Sequence, residues 1–187
     1  MHNTLLDIIR KKKIDLVQRR APVHGFREAL LDSTHGVAIL GEIKLASPSE
    51  PTLGSEREVI QKVLAYERAG INALSIVTEK YYFKGNPSFI PRIRKHTRLP
   101  ILQKDFVIDP YQIYEAKMLG SDALLFIARL VSKKTLGEFV ALARELGIEP
   151  VVEIHDEKDL EKAVHTSAFV IAVKARSLQP LAVDVRA

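Results

Sequence analysis

The chain has 187 residues, of which 47% are hydrophobic and 27% are charged, and such values are typical of a soluble globular protein with one core. Its 28 basic and 23 acidic side chains leave a formal net charge of +5, but the basic residues are scattered and aromatic residues are few, so we expect no nucleic-acid partner. The chain has no cysteine, which excludes disulfides, thiolate catalysis and cysteine-bound metals.

The first 35 residues predict a helical segment ahead of the main fold. Apolar residues recur at helical spacing over residues 5–17, and residues 26–31 predict a second, short helix. No apolar run in this stretch is long enough for a signal peptide or a membrane span. We therefore expect a cytoplasmic protein without a membrane partner, folded as a single domain over residues 1–187 with an N-terminal helical extension at about 1–35.

From residue 37 onwards, short apolar strands alternate with helices that mostly end at glycine. Strands are predicted at residues 37–44, 73–77, 100–104, 123–127, 151–154 and 169–173. Helices are predicted at residues 57–69, 87–96, 111–119, 132–146 and 157–164, with Asp109 and Ser132 as N-caps. Because continuously apolar strands are typical of a parallel sheet covered by helices, the sequence predicts six βα units.

Charged side chains stand at the ends of four of these strands. They are Glu42, Lys44, Lys104, Glu153, Lys174 and Arg176. A charge in such apolar surroundings is costly unless it is paired or functional. In a (β/α)8 barrel all strand C-termini converge on one face, whereas an open doubly wound sheet concentrates function at one switch point. No glycine-rich phosphate loop follows the first strand, so we predict an α/β fold of the (β/α)8 TIM-barrel type.

Six βα units are fewer than the eight of a closed barrel, which typically needs ~250 residues. We expect strands seven and eight to be missing from this chain. An open barrel of six units exposes two strand edges and part of its core. Such a surface predicts self-association, so we expect a homo-oligomer formed through the exposed barrel edges.

Several motifs, in chain order, resemble the indole-3-glycerol phosphate synthase family. They are Glu42-Ile43-Lys44 with Ser47-Pro48-Ser49, and residues 75–79, 82–85, 99–106, 111–116 and 152–155. The resemblance covers nearly the whole chain. It implies a TIM-barrel carboxy-lyase of tryptophan biosynthesis that converts 1-(2-carboxyphenylamino)-1-deoxyribulose 5-phosphate into indole-3-glycerol phosphate. It also implies a small anionic phosphorylated substrate and no metal or organic cofactor.

The resemblance implies a role for each matched side chain. Lys104 is the general acid, and Glu153 is its base or its partner in dehydration. Lys44 holds the substrate carboxylate or phosphate and serves as a second acid, while Glu42 orients the substrate nitrogen and the lysines. The implied substrate-binding residues are Ser47 for the carboxylate, Phe83 and Phe106 as walls of the aromatic ring, and Arg176 for an anionic group. An ordinary ion pair at a barrel mouth would equally account for Glu42 with Lys44.

The sequence departs from the family pattern at several positions. Lys174, a further candidate substrate-binding residue, replaces an asparagine, Leu45 replaces an arginine, and Glu50 brings a negative charge where a positive one is common. Three hypotheses follow: an indole-3-glycerol phosphate synthase with weak or no activity, an aldolase-like barrel with Lys174 as a Schiff-base lysine, or a non-catalytic partial-barrel binding or assembly module. His155 follows the Glu153 strand and could line the mouth of the barrel, but we expect it rather at the surface or as a cap, and the scattered histidines predict no metal site.

Overall fold

Six parallel strands form one sheet whose spatial order follows the order of the chain. In the computed structural model, residues 25–33 and 36–174 are described. The strands are β1 (Leu40–Ile43), β2 (Ala73–Val77), β3 (Ile101–Lys104), β4 (Ala123–Ile127), β5 (Glu149–Ile154) and β6 (Val170–Val173). All five neighbouring pairs are parallel. This open half-barrel confirms the predicted barrel-type fold.

A helix follows each of the first five strands. The helices are α1 (Phe26–Leu31) ahead of the sheet, then α2 (Val59–Arg68), α3 (Phe89–Arg94), α4 (Pro110–Leu119), α5 (Lys133–Glu145) and α6 (Glu157–Val164). The predicted caps are confirmed: the Asp109 side chain accepts from the Tyr111 amide, and the Ser132 side chain accepts from the Thr135 amide. The helix predicted over residues 5–17 lies outside the described residues.

Several elements begin or end at other residues than the sequence predicts, and three of these differences have a clear cause. The predicted strand over residues 37–44 is confined to Leu40–Ile43. It begins late because the Ile39 amide donates its hydrogen bond to the side chain of Asn72, at 2.9 Å, rather than to a neighbouring strand. The predicted helix over residues 57–69 begins with a 3₁₀ turn at Glu56–Glu58, which a Ser55 capping box fixes. The predicted helix over residues 87–96 is confined to Phe89–Arg94, because i→i+3 bonds from Lys95 and His96 close it.

Side chains inside the barrel form a small apolar cluster that α1 closes at one end. The cluster contains Phe26, Ala73, Leu102, Ala123, Leu125 and Val151. Ala73 and Ala123 begin their strands, so Phe26, which is only 2% exposed, lies at the N-terminal end of the barrel. Polar side chains occupy the opposite end of the barrel, where the strands have their C-termini.

The two edge strands are less buried than the four between them. Every side chain of β2 is buried, whereas β6 alternates between half-buried and exposed positions, with Val173 64% exposed. Within the described residues, β1 and β6 each pair with one strand only. The predicted exposed edges are therefore confirmed, and self-association through them stays a prediction. Among the described helices, none combines the length and apolarity that crossing a bilayer requires.

Candidate active site

A carboxylate at the end of β1 holds two lysines at the C-terminal mouth of the barrel. One oxygen of Glu42 lies 2.9 Å from Lys44 Nζ, and the other lies 2.7 Å from Lys104 Nζ. We call these three residues the first ionic cluster. Because each oxygen takes a different lysine, Glu42 fixes both ammonium groups at once.

Strand alternation and register bring the first ionic cluster together. Glu42 and Lys44 are two residues apart, so they point to the same face of the sheet. Glu42 is level with Ser75 on β2, and Lys104 on β3 is level with Val77. Lys104 therefore reaches back across β2, past the small Ser75 side chain, to meet Glu42. The separation of 62 residues in the chain hides this contact from local sequence patterns.

The charge state of Glu42 follows from its neighbours. Burial opposes ionisation, but the charge of Lys104 and hydrogen bonds from Lys104 and Lys44 outweigh it and hold the pKa of Glu42 below its ordinary value of 4.5. Glu42 is thus an anion at neutral pH and does not act as a proton donor there. Its negative charge holds the side chains of Lys44 and Lys104 in place.

A second carboxylate, at the end of β5, forms the second ionic cluster, which we define as Glu153, His155 and Lys174. Glu153 Oε1 lies 2.9 Å from His155 Nε2 and 3.6 Å from Lys174 Nζ. The side chains of Glu153 and His155 are each 7% exposed. The Lys174 amide donates to the Ile154 carbonyl at 2.9 Å, which anchors the end of β6 beside β5.

The expectation for His155 is wrong. It lies neither at the surface nor in a helix cap, but is buried against Glu153 and lines the same cavity. Its side chain follows Glu153 by two residues, so strand alternation aims both into the barrel. The backbone amide of His155 donates to Asp159 at 3.0 Å, which fixes the turn that carries the ring. The two-residue spacing is the signal that could have identified it.

Both clusters open into one cavity with most of the predicted site. It is lined by Glu42, Lys44, Ser47, Phe83, Lys104, Phe106, Glu153 and Lys174 among the predicted residues. Phe83 and Phe106 stand with ring centroids 6.3 Å apart at an angle of 44°. Arg176 lies outside the described residues. The structure thus brings eight of the nine candidates together, and the role of each one stays a prediction.

Sequence reasoning gave no role to Glu79 or Arg129, two charged residues that also line this cavity. Arg129 follows β4 and is held by Asp159 at 3.0 Å and by Asp156 at 3.1 Å. Both cavity residues follow an apolar strand, which is the same signal that identified Lys104. Among the described residues, no group of three histidine, aspartate or glutamate side chains could hold a metal ion.

The loop after β3 is tied to the loop after β2. Thr78 donates its hydroxyl to Asp105 Oδ2 at 2.5 Å, and the Thr78 amide donates to the Lys104 carbonyl at 3.0 Å. Asp105 also accepts from the Phe106 amide at 2.8 Å. These bonds fix the backbone on both sides of the Lys104 side chain.

Comparisons with known proteins identify the family of the chain. A family model described as indole-3-glycerol phosphate synthase matches residues 6–187. An indole-3-glycerol phosphate synthase of Caldanaerobacter subterraneus subsp. tengcongensis is 43% identical over 150 residues, which are 80% of this chain and 58% of that protein. One of Campylobacter fetus subsp. fetus is 37% identical over 193 aligned positions, which cover 96% of this chain and 75% of that protein.

The solved structures add evidence on the fold alone. A mandelate oxidase variant with (S)-mandelic acid superimposes with a TM-score of 0.55 at 17% identity, over 81% of this chain and 52% of that one. The chain thus spans about half of that structure and 58% of the first relative named above. On the match over residues 6–187 and the identity to these relatives, the chain belongs to the indole-3-glycerol phosphate synthase family.

Proposed function

We propose that this protein catalyses the ring closure of 1-(2-carboxyphenylamino)-1-deoxyribulose 5-phosphate to indole-3-glycerol phosphate, with loss of carbon dioxide and water. One observation carries the proposal. One cavity at the C-terminal mouth of the barrel brings together the carboxylates of Glu42 and Glu153, each bonded to nitrogen-bearing side chains, and two aromatic rings. Membership of the family supports it.

The first ionic cluster suits the carbon–carbon bond-forming step. The aromatic carbon that bears the carboxylate attacks the ketone carbon, and the ketone oxygen must take up a proton as its double bond opens. Lys104 supplies that proton in our proposal, since Glu42 holds its ammonium group at 2.7 Å. The carboxylate then leaves as carbon dioxide, and its bonding electrons restore the aromatic ring.

The second ionic cluster suits the dehydration. The new hydroxyl group leaves as water when an acid protonates it and a base removes a proton from the adjacent carbon. Glu153 is proposed either as this base or as the partner of Lys104 in the dehydration, because its carboxylate is 7% exposed and lines the cavity. His155, at 2.9 Å, holds the carboxylate in place for this transfer.

The remaining cavity residues suit binding of an anionic aromatic substrate. Lys44 and Ser47 are proposed to contact the substrate carboxylate or phosphate, and Phe83 and Phe106 to enclose the aromatic ring. Lys174 and Arg129 add positive charge to the same cavity. Arg176 keeps its proposed role at an anionic group on the strength of the family resemblance alone.

The contacts of Lys174 do not favour the aldolase-like hypothesis. A Schiff-base lysine must reach a carbonyl carbon with its amine, whereas Lys174 Nζ is held 3.6 Å from the Glu153 carboxylate. Borohydride trapping with a ketone or aldehyde tests the point, and an adduct on Lys174 would revive this hypothesis.

We also propose that the protein works in the cytoplasm and self-associates through β1 and β6. The support for self-association is the exposed apolar surface of these edges, where Ile39 is 59% and Val173 is 64% exposed. Sedimentation velocity tests it: a compact monomer at all concentrations contradicts this part of the proposal.

The assay for the activity is fluorescence-monitored formation of the indole ring from the substrate. We compare the unchanged protein with Lys104→Ala and with Lys134→Ala, whose side chain is 87% exposed on α5. Turnover that is lost in the first variant and kept in the second supports the proposal. No turnover in a demonstrably folded protein contradicts it and favours a non-catalytic binding module.

A further inference from the structure

We propose that Glu79 is a positioning residue that fixes Phe83 in the cavity. Through the loop that contains Glu79 and Phe83, it also fixes the neighbouring loop that carries Ser47. The proposal rests on the proposed function for the roles of Phe83 and Ser47. We call residues 78–85 the β2 loop and residues 45–54 the β1 loop. Glu79 lines the cavity beside the two ionic clusters, so its carboxylate could be mistaken for a further acid or base.

The carboxylate of Glu79 is bonded to its own backbone. Oε1 accepts from the Tyr81 amide at 2.8 Å, and Oε2 accepts from the amides of Tyr82 at 2.8 Å and Phe83 at 3.0 Å. Three consecutive amides therefore converge on one side chain. Such charge-assisted bonds are stronger than those between neutral groups, and they engage both oxygens with the backbone of the loop.

The rest of the β2 loop closes tightly around this arrangement. The Gly85 amide donates to the Glu79 carbonyl at 2.7 Å. A Cβ atom at Gly85 would lie 2.5 Å from the Val77 carbonyl oxygen, so a larger residue does not fit. Lys84 has φ +52°, a conformation that side-chain-bearing residues rarely adopt. The backbone is thus held in a costly geometry that the bonds to Glu79 help to maintain.

The β2 loop is in turn bonded to the β1 loop. The Phe83 carbonyl accepts from the Ala46 amide at 3.1 Å, and Lys84 Nζ donates to the Pro51 carbonyl at 2.8 Å. Ala46 is followed directly by Ser47. Because these bonds start from the residues that Glu79 positions, a change at Glu79 is expected to disturb both sides of the substrate cavity.

A first test reports on the loop without any turnover. The chain has five tyrosines but no tryptophan, so Phe83→Trp supplies a single tryptophan at the position concerned, which is excited selectively at the red edge of the absorption band. In this background we compare Glu79→Gln, whose amide nitrogen cannot accept a hydrogen bond, with Glu138→Gln on the exposed face of α5. We expect a red shift, stronger quenching by acrylamide and faster exchange of the amides of residues 81–83 in Glu79→Gln alone. Unchanged emission, quenching and exchange in that variant would overturn the proposal.

A second test separates positioning from chemistry by a double-mutant cycle. We expect Glu79→Gln and Phe83→Ala each to raise KM about tenfold and to leave kcat within about twofold, since both remove the same ring contact from ground and transition states. The double variant should be no worse than the more damaged single variant. A loss of kcat at unchanged KM in Glu79→Gln, or effects that multiply in the double variant, would overturn the proposal. If the unchanged protein lacks turnover, the proposed function fails, and the fluorescence and exchange test still decides the role of Glu79.

Discussion

Substitution of Glu42 by glutamine is the sharpest test of the first ionic cluster. The change keeps the size of the side chain but removes the negative charge that pairs with Lys44 at 2.9 Å and with Lys104 at 2.7 Å. Glutamine has one accepting oxygen, so at least one ammonium group loses its acceptor. We expect both stability and turnover to fall.

The exposure of the ion pairs sets the size of the loss in stability. The side chains of Glu42 and Lys44 are each 31% exposed and that of Lys104 is 33% exposed, so water screens both pairs in part. Exposed pairs contribute ~0.2–1 kcal/mol, and breaking a fully buried pair costs ~3–5 kcal/mol. We expect an intermediate cost of about 1–2 kcal/mol, which lowers the Tm by roughly 2–8 °C. A shift of ~1 Å in the Lys104 amine predicts a loss of roughly 100-fold in kcat.

The pH dependence of stability supplies an independent test of the same change. The pKa of Glu42 lies below its ordinary value of 4.5 in the folded protein, so its ion pairs stabilise the fold at pH values above 4.5. This contribution is lost as the pH falls through the folded-state pKa. The difference in Tm between the unchanged protein and Glu42→Gln should therefore be largest at neutral pH and shrink on acidification.

Circular-dichroism melting at several pH values and steady-state kinetics measure these effects. Glu56→Gln is the control, because it removes a carboxylate from an exposed ion pair with Arg92 at 3.6 Å. Unchanged kcat in a Glu42→Gln protein that melts at the same temperature as the unchanged protein would refute the argument that Glu42 positions Lys104.

Three further predictions concern other parts of the molecule. Phe26→Ala should destabilise the protein by about 3–5 kcal/mol in denaturant unfolding, since it removes a ring that is 2% exposed and closes the end of the barrel; a loss below about 1 kcal/mol would contradict that role. Burial, with the charge of Glu28, raises the pKa of Glu149 above its ordinary value of 4.5, so the unchanged protein loses stability as the pH rises from 4.5 through the raised pKa. Glu149→Gln should remove this loss and raise the Tm at neutral pH. A curve of Tm against pH that is the same in both proteins would contradict this prediction. His155→Leu leaves Glu153 with Lys174 alone at 3.6 Å, and we expect kcat to fall about tenfold at unchanged KM in steady-state assays; an unchanged kcat would show that the imidazole does not hold the carboxylate.

The sequence by itself determined the elements of this protein and the residues to consider. Apolar runs that alternate with helical periodicity reveal parallel strands because both sheet faces are covered, and the N-cap chemistry of Asp109 acts within three residues. The position of Lys104 at the end of a strand could also be predicted, because a strand and its terminus are set by neighbouring residues in the sequence. Interactions between residues that are close in the chain can be predicted from a short stretch of sequence.

Only the tertiary structure decided which charges meet. Glu42 and Lys104 are brought together across β2 by a register that no short window of sequence contains. His155 was expected at the surface, but the fold buries its ring against Glu153, and the β2 loop turns three backbone amides onto the carboxylate of Glu79. The physical reason is that the energy of a charge depends on the groups that surround it within a few ångströms. For Lys104 the group that decides this is Glu42, which is 62 residues away in the chain and becomes a neighbour only in the folded sheet.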